Sequence, residues 1–228
     1  MVNGSIPAVW ESIRKGIIGR VHGTGLKEKI FWGAFSAKSF LQRWGLPGSG
    51  VLNAIVFNKI KEATGGRVRL SLSGGAPLAG ETQHFMTVCV APLLQGYGLT
   101  ETCAYLLFWY LLISSMCAIM TPESFEYSSV GVPMACTEVK LVDVADAGYF
   151  ANNKPSQGEI WLRGPSITKG YYNRDKETEE AFTSDGWFKT GDIGEWQTSG
   201  TVKIIDRKKN LVKTLNGEYI ALEMVHPC

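Results

Sequence analysis

The sequence is poor in the residues that nucleophilic hydrolases and zinc proteins depend on. There are three histidines, His22, His84 and His226, and no serine stands in a G-x-S-x-G elbow. Read singly, each histidine is a surface or helix residue rather than a catalyst, and no His/Cys spacing matches a zinc ligand set. Five cysteines, at 89, 103, 117, 136 and 228, make an odd number without a C-x-x-C pair. They read as reduced thiols of an intracellular protein, not as a disulfide frame. Charge of either sign is not in excess: 23 basic against 21 acidic side chains leave a net charge of +2. That balance gives no electrostatic reason to expect nucleic acid or an acidic membrane surface. A G-x-x-x-x-G-K-[ST] phosphate loop is absent. So is an uninterrupted apolar leader, because Glu11, Arg14 and Lys15 come too early for a secretory signal. Internal repeats are absent too.

What is present is a globular composition, 45% hydrophobic and 11% aromatic, long enough for one large domain with a sizeable core. Residues 6–62 read mainly as helix. Trp10, Ile13, Ile17 and Ile18 recur near helical spacing, and Ile30–Trp44 repeats the pattern with Phe31, Phe35, Phe40 and Leu41. A loop at 45–50 interrupts it, Val51–Ala63 resumes it, and Gly65-Gly66 ends it. Residues 67–73 alternate apolar and polar as a strand does, a Gly-Gly turn follows, and Gly80–Val90 reads as helix. From Val130 the texture becomes short strands, at Glu138–Val142, Glu159–Arg163 and Val202–Ile205, parted by Gly and Asp clusters. Lys176–Phe182 reads as a short helix with Asp175 as N-cap. Asp206–Asn210 is a polar punctuation that could join two domains. The fold class expected from this order is α/β.

One stretch, Ala104–Met120, carries no charge. Its length reaches the lower bound of a membrane span, about 17 residues, but no Lys or Arg flanks it closely, so the positive-inside signal is missing. A span, a buried helix and an insertion that spoils the fold locally are the three readings of it.

Three segments carry chemistry. Ser73-Gly74-Gly75-Ala76-Pro77 follows a strand, and its paired glycines would let a flat ligand approach the backbone; a plain strand-to-helix turn is the simpler reading. In Gln95-Gly96-Tyr97-Gly98-Leu99-Thr100-Glu101-Thr102, glycines on both sides of Tyr97 would let its ring stack on a base. The Thr100 hydroxyl would donate to a phosphate, and the Glu101 carboxylate is a hard oxygen ligand for Mg²⁺. A surface hairpin with an exposed tyrosine is the alternative. Gly186–Asp192 presents a short carboxylate in a glycine turn, fit to accept two ribose hydroxyls, with Arg207 fifteen residues later. An exposed Asp–Arg pair of little worth is the alternative there.

In this order the three segments resemble the signature of the adenylate-forming superfamily. The wording of Leu72–Pro77, Phe125–Gly131, Gly158–Gly164 and Asp206–Lys213 is similar to eukaryotic long-chain fatty acyl-CoA synthetases of fungal type. The resemblance covers nearly the whole chain apart from about 105–115 and the last few residues. It implies fatty acid, ATP and coenzyme A as substrates, with AMP and Mg²⁺ in the site and no nucleic acid. Catalysis would rest on charge neutralisation and positioning of the α-phosphate. By the same resemblance Gly74, Gly75 and Ala76 border adenine and the acyl pocket, and Tyr97 and Gly98 belong to the nucleotide site. Thr100 touches the α-phosphate and Glu101 ligates Mg²⁺. Asp192 holds the ribose with Arg207 beside it, Lys209 is the hinge, and Gly217 lies on the coenzyme A path.

The resemblance also sets expectations about what is missing. Residues 1–72 contain nothing like the family's Ser/Thr/Gly-rich phosphate loop, and the chain stops before the family's adenylating lysine. Residues 105–115 look like an aberrant insertion. The expected organisation is therefore a fragment of the large AMP-binding domain over 1–206 and the start of a small C-terminal domain over 207–228. The expected activity is AMP-forming long-chain fatty acid:CoA ligation by family, with this chain inactive alone. The expected location is intracellular, cytoplasmic or peripheral on the endoplasmic reticulum, lipid droplets or peroxisomes. The rival expectation is a catalytically dead fragment or pseudogene product, associated with a membrane through 104–120.

Overall fold

The computed structural model describes residues 2–102, 116–213 and 219–221. The expected insertion at 105–115, most of the apolar run 104–120 and Gly217 lie outside the described residues. Two compact units are formed, Met1–Gln95 and Gly96–Cys228.

In the first unit β1 (Val2–Ser5) and β2 (Leu70–Ser73) pair in parallel, and β2 pairs in parallel with the first residues of β3 (Leu93–Tyr97). Parallel neighbours need crossovers. The first is the helical run α1 (Pro7–Val21), α2 (Leu26–Arg43), α3 (Ser49–Leu52) and α4 (Asn58–Ala63), and the second is α5 (Gly80–Cys89). The sequence had not marked β1 as a strand, since four residues carry too little pattern. The expected helix over Val51–Ala63 is broken by a π-helical turn at Asn53–Phe57. That turn carries Asn53, whose side-chain oxygen accepts from Lys38 Nζ at 2.6 Å.

The core of this unit is aromatic. Trp10, Phe31, Phe57 and Phe85 are all buried, with Met86, Val88 and Leu93 beside them. The Phe31 ring meets those of Phe57 and Phe85 at about 6 Å. Each such ring contributes roughly 2–3 kcal/mol by leaving water. Helix α5 is buried on nearly every side, so its polar residues need partners. Gln83 supplies both ends of one chain: its amide donates to the Leu93 carbonyl at 3.0 Å and its carbonyl accepts from Gln95 at 3.0 Å. Thr82 accepts from Arg14 on α1 at 3.0 Å.

In the second unit the last two residues of β3 pair antiparallel with β4 (Ala118–Ile119), which pairs with β5 (Val132–Pro133). Strands β6 (Glu138–Val142), β7 (Gln157–Arg163), β8 (Phe188–Trp196) and β9 (Val202–Arg207) form a four-stranded antiparallel sheet in chain order. A short helix, α6 (Asp175–Ala181), precedes β8, and the hairpin of β10 (Leu211–Lys213) and β11 (Tyr219–Ala221) closes the described chain. Alternation along β7 sends Ile160 and Leu162 inward to Phe188, Val130 and Val202. Its outward Trp161 lies under the Lys140 ammonium at 4.9 Å. The fold is α/β.

Three local expectations are corrected. Asp175 is the first residue of α6 and not its cap. Arg174 holds the cap position without a side-chain hydrogen bond, and the Thr178 hydroxyl ties the end down by donating to the Arg174 carbonyl at 2.8 Å. Asp192 lies within strand β8 and not in a turn. Phe40 faces solvent, 57% exposed, while Phe31 and Phe35 of the same helix pack inward.

Candidate functional site

The second unit gathers most of the expected site residues. Tyr97 ends β3, held in the sheet rather than on an open loop, and its hydroxyl donates to Asp192 Oδ2 at 2.7 Å. Arg207, the last residue of β9, donates from Nε to Asp192 Oδ1 at 3.0 Å. The pair is cross-strand: Asp192 on β8 and Arg207 on β9 are in register. Asp192 is only 3% exposed while the Arg207 side chain is 65% exposed, so the pair that the sequence left open is buried at its carboxylate and open to solvent at its guanidinium. Burial raises the Asp192 carboxyl above its ordinary value, and the Tyr97 and Arg207 contacts pull it part of the way back. The Tyr97 phenol is pushed well above its usual range by burial and by the Asp192 charge.

What turns Asp192 toward its partners is a bulge. Between Glu159 and Trp161 of β7 one residue faces three of β8, Thr190, Gly191 and Asp192. Gly191 takes φ +72° there, a conformation that costs other residues about 1–2 kcal/mol. Side chains fasten the bulge. The Thr190 hydroxyl donates to the Ile160 carbonyl at 2.7 Å and accepts from Asp192 N at 3.0 Å. Gly191 N donates to Glu159 Oε1 at 3.2 Å, and Lys208 Nζ donates to Glu159 Oε2 at 3.2 Å. Glu159, 7% exposed, therefore joins the bulge to the 3₁₀ turn Lys208–Asn210, which holds Lys209.

Thr100, Glu101 and Thr102 form another 3₁₀ turn after β3, closed by the Thr102 hydroxyl donating to the Leu99 carbonyl at 2.7 Å. A second loop clamps Glu101. Thr168 N donates to its carbonyl at 2.8 Å, and the Tyr171 hydroxyl donates to its Oε1 at 2.6 Å. Burial and the Glu101 carboxylate push the Tyr171 phenol up to about 12.

Thr100, Glu101, Tyr171, Gly191, Arg207, Lys208 and Lys209 line one open cleft of about 890 Å³. Arg174 and Lys189 line it as well, and so do Glu159, Glu177 and Glu180, so cations and carboxylates face each other across it; Arg174 pairs with Glu177. Among the described residues no lysine or arginine pairs with Glu101, and none of the carboxylates pairs with Lys209. A cleft-facing carboxylate without a cation fits Mg²⁺, which is commonly held by one or two carboxylates together with substrate phosphates. Among the described residues no group of three or more His, Cys, Asp and Glu side chains could hold a metal without a ligand's help.

Gly74, Gly75 and Ala76 belong to the first unit, in the turn after β2. Gly75 has φ +83°, and the space where a Cβ would stand is open. Tyr171, Glu159 and Lys208 were not among the expected site residues. Tyr171 lies in no motif, and Glu159 and Lys208 stood only within stretches that carry the resemblance, with no role of their own.

A profile of the AMP-binding enzyme family matches residues 7–172. The chain belongs to the AMP-binding enzyme family. Long-chain-fatty-acid–CoA ligase 1 of Saccharomyces cerevisiae is 51% identical over 219 residues, covering 96% of this chain and 29% of the ligase. Among solved structures, the A domain of carboxylic acid reductase from Segniliparus rugosus, in complex with AMP and a co-purified carboxylic acid, superimposes with a TM-score of 0.65 at 28% identity, covering 98% of this chain and 30% of that one. The O-succinylbenzoate coenzyme A synthetase of Bacillus subtilis, in complex with ATP and magnesium ion, gives 0.52 at 29% identity over 68% of this chain and 29% of its own. The chain thus spans about 30% of the length of the relatives it matches. Among the described residues no helix is long and apolar enough to cross a membrane.

Proposed function

We propose that this chain is the nucleotide-handling part of an AMP-forming long-chain fatty acid:CoA ligase. In that reaction a fatty acid carboxylate attacks the α-phosphate of ATP, pyrophosphate leaves, and the coenzyme A thiolate then displaces AMP to give the thioester. The observation that carries the reading is the cleft of the second unit. Thr100 and Glu101 stand on its wall with Arg207 and Lys209, and Arg207 leads directly to the buried Asp192 and Tyr97. Asp192 has the acceptor oxygens for ribose hydroxyls, and Arg207 holds them in place. Thr100 offers a hydroxyl to the α-phosphate, and Gly98 leaves the approach to it free of a side chain. Glu101, oriented by Tyr171, would hold Mg²⁺, which supplies charge neutralisation on the phosphates when bound. Gly74, Gly75 and Ala76 would border the adenine and acyl groups. Lys209 would be the hinge between a large domain ending near 206 and a small one beginning at 207, with Gly217 on the coenzyme A path. An intracellular setting, cytoplasmic or on an organelle surface, belongs to the same proposal.

The 228 residues hold neither a Ser/Thr/Gly-rich phosphate loop nor a lysine in the adenylating position, so the chain by itself should turn over negligibly. Losing one preorganised donor costs ~10²–10³ in rate. The test is ATP-dependent oleoyl-CoA formation by three proteins: the 228-residue chain, the chain grafted in place of the matching stretch of the Saccharomyces cerevisiae relative, and that graft carrying Asp192→Ala. Activity is expected only in the unmodified graft. Robust synthesis by the chain alone would refute the dependence, and an active Asp192→Ala graft would refute the site.

A further inference from the structure

Among the ion pairs of the described residues, two have a carboxylate that is less than a tenth exposed: Arg207–Asp192 and Lys208–Glu159. Their cations come from consecutive positions of the chain. Their carboxylates serve one bulge, since Asp192 lies in it and Glu159 accepts from the amide of Gly191 beside Asp192. The segment entering the turn Lys208–Asn210, which holds Lys209, therefore grips the bulge twice.

The two grips differ in kind. Arg207 holds the Asp192 carboxylate directly. Lys208 reaches the bulge only through Glu159, which spends one oxygen on each donor: Oε1 takes Gly191 N and Oε2 takes Lys208 Nζ, each at 3.2 Å. A carboxylate is needed for this, because it has an acceptor at both ends. The same-shaped glutamine has an acceptor at one end and a donor at the other, so one of its ends would meet a donor with a donor. Burying a carboxylate costs free energy unless it is paired and hydrogen-bonded. A buried ion pair also adds little net stability over apolar residues of the same shape. What this one supplies is position. No atom packs within 4 Å of the place where a Gly191 Cβ would stand, so hydrogen bonds rather than packing fix the path of the chain there.

On the reading of Asp192 as the ribose acceptor, we propose that Glu159 is a positioning residue for ribose selection, and that it carries the placement of the hinge turn to the nucleotide site. Lys208 fixes Glu159, Glu159 fixes the Gly191 amide, and that amide sets where the Asp192 oxygens stand. The grip on the sugar then depends on the turn that holds Lys209, and displacement of that turn loosens it.

The test compares ATP with 2′-deoxy-ATP and 3′-deoxy-ATP as substrates of the grafted enzyme, by kcat/KM for oleoyl-CoA formation. The ratio between triphosphates cancels contacts to phosphate and Mg²⁺, so Lys208 is not counted for its charge in the cleft. The parent graft should prefer ATP by at least about tenfold over each analogue. Asp192→Asn, left with one acceptor oxygen, should reduce that preference. Glu159→Gln and Lys208→Met should each reduce it by at least about threefold, through slower use of ATP and not of the analogues. Lys208→Arg should keep it. The double variant Glu159→Gln/Lys208→Met should show no more loss than the larger single one, because both break one chain of contacts. A preference that survives Glu159→Gln and Lys208→Met but not Asp192→Asn would overturn the positioning role and leave the ribose reading standing. A parent without the preference, or one that Asp192→Asn leaves unchanged, would remove the ribose reading itself. Losses that multiply in the double variant would mean that the two residues act separately, and would overturn the tether. The Lys208 side chain is half exposed, so Lys208→Met keeps the fold and carries the test even where Glu159→Gln does not fold.

Discussion

Replacing Lys38 by methionine should remove a pH dependence of stability that one buried amine builds into the first unit. Lys38 is 3% exposed. Its ammonium donates to Asn53 Oδ1 at 2.6 Å and to the Val88 carbonyl, and it lies over the Phe57 ring at 4.6 Å. Burial, with Lys61 nearby, brings its pKa down from 10.5 to about 8. The folded-state value is thus below the unfolded one. Below pH 8 both states hold the proton, and the folded state bears the cost of a buried cation. As pH rises past 8 the folded state releases its proton while the unfolded chain keeps it until about 10.4, so stability rises across that window. The whole shift is worth on the order of 3 kcal/mol, of which about 1 kcal/mol falls between pH 7 and pH 9. Two buried thiols act in the opposite sense. Cys89 and Cys117, both pushed up to about 12 by burial, ionise first in the unfolded chain and erode stability above about pH 9. The measurement is therefore a difference: urea unfolding of the parent and of Lys38→Met at pH 7, 8 and 9 under reducing conditions. The stability of the parent relative to the variant should grow by about 1 kcal/mol over that range. A difference that does not change with pH would refute the argument that Lys38 is buried as a cation.

Gly191→Ala should lower stability by about 1–2 kcal/mol, because φ is +72° and no neighbour crowds the added Cβ. Gly191→Asn should recover part of the loss in the same thermal melts, since asparagine tolerates that conformation, and equal loss in both would argue against the bulge. Glu159→Ala leaves both the Gly191 amide and Lys208 without their acceptor and should cost about 2–3 kcal/mol; Glu159→Gln keeps an acceptor and should cost less. Adenosine, which has no phosphate to titrate, should bind the grafted enzyme more weakly as pH falls from neutrality into the carboxylate range. The raised Asp192 carboxyl begins to protonate above the ordinary carboxylate range and then cannot accept from both ribose hydroxyls. Asp192→Asn should flatten that profile, and a flat profile in the parent would sink the ribose assignment.

The family was legible in the residues because its signature depends on types at fixed spacing. Tyr97, Thr100 and Glu101 stand in one short segment, and Asp192 precedes Arg207 by fifteen positions. The strands expected at 138–142, 159–163 and 202–205 were also readable, two of them two residues short of their observed length, since alternation is a local signal. Other features had no local signal. Tyr171 contacts Glu101 across seventy positions, and Glu159 reaches Lys208 across forty-nine; such partners are made by sheet register and loop path. The glycines around Asp192 announced a turn, and cross-strand pairing turned that turn into a bulge.

Helix α2 shows the same division. Sequence by itself determined that α2 would be helical and rich in apolar residues, because period and propensity are written into neighbouring positions. It could not say which of the apolar sets, Phe31–Phe35 or Leu26–Phe40, would be covered, since both repeat at helical spacing. Only the packing of α2 against Phe57 and Phe85 decided that. In the same way composition set a near-neutral total, while the division into two compact units left eleven basic against four acidic residues in the first and twelve against seventeen in the second.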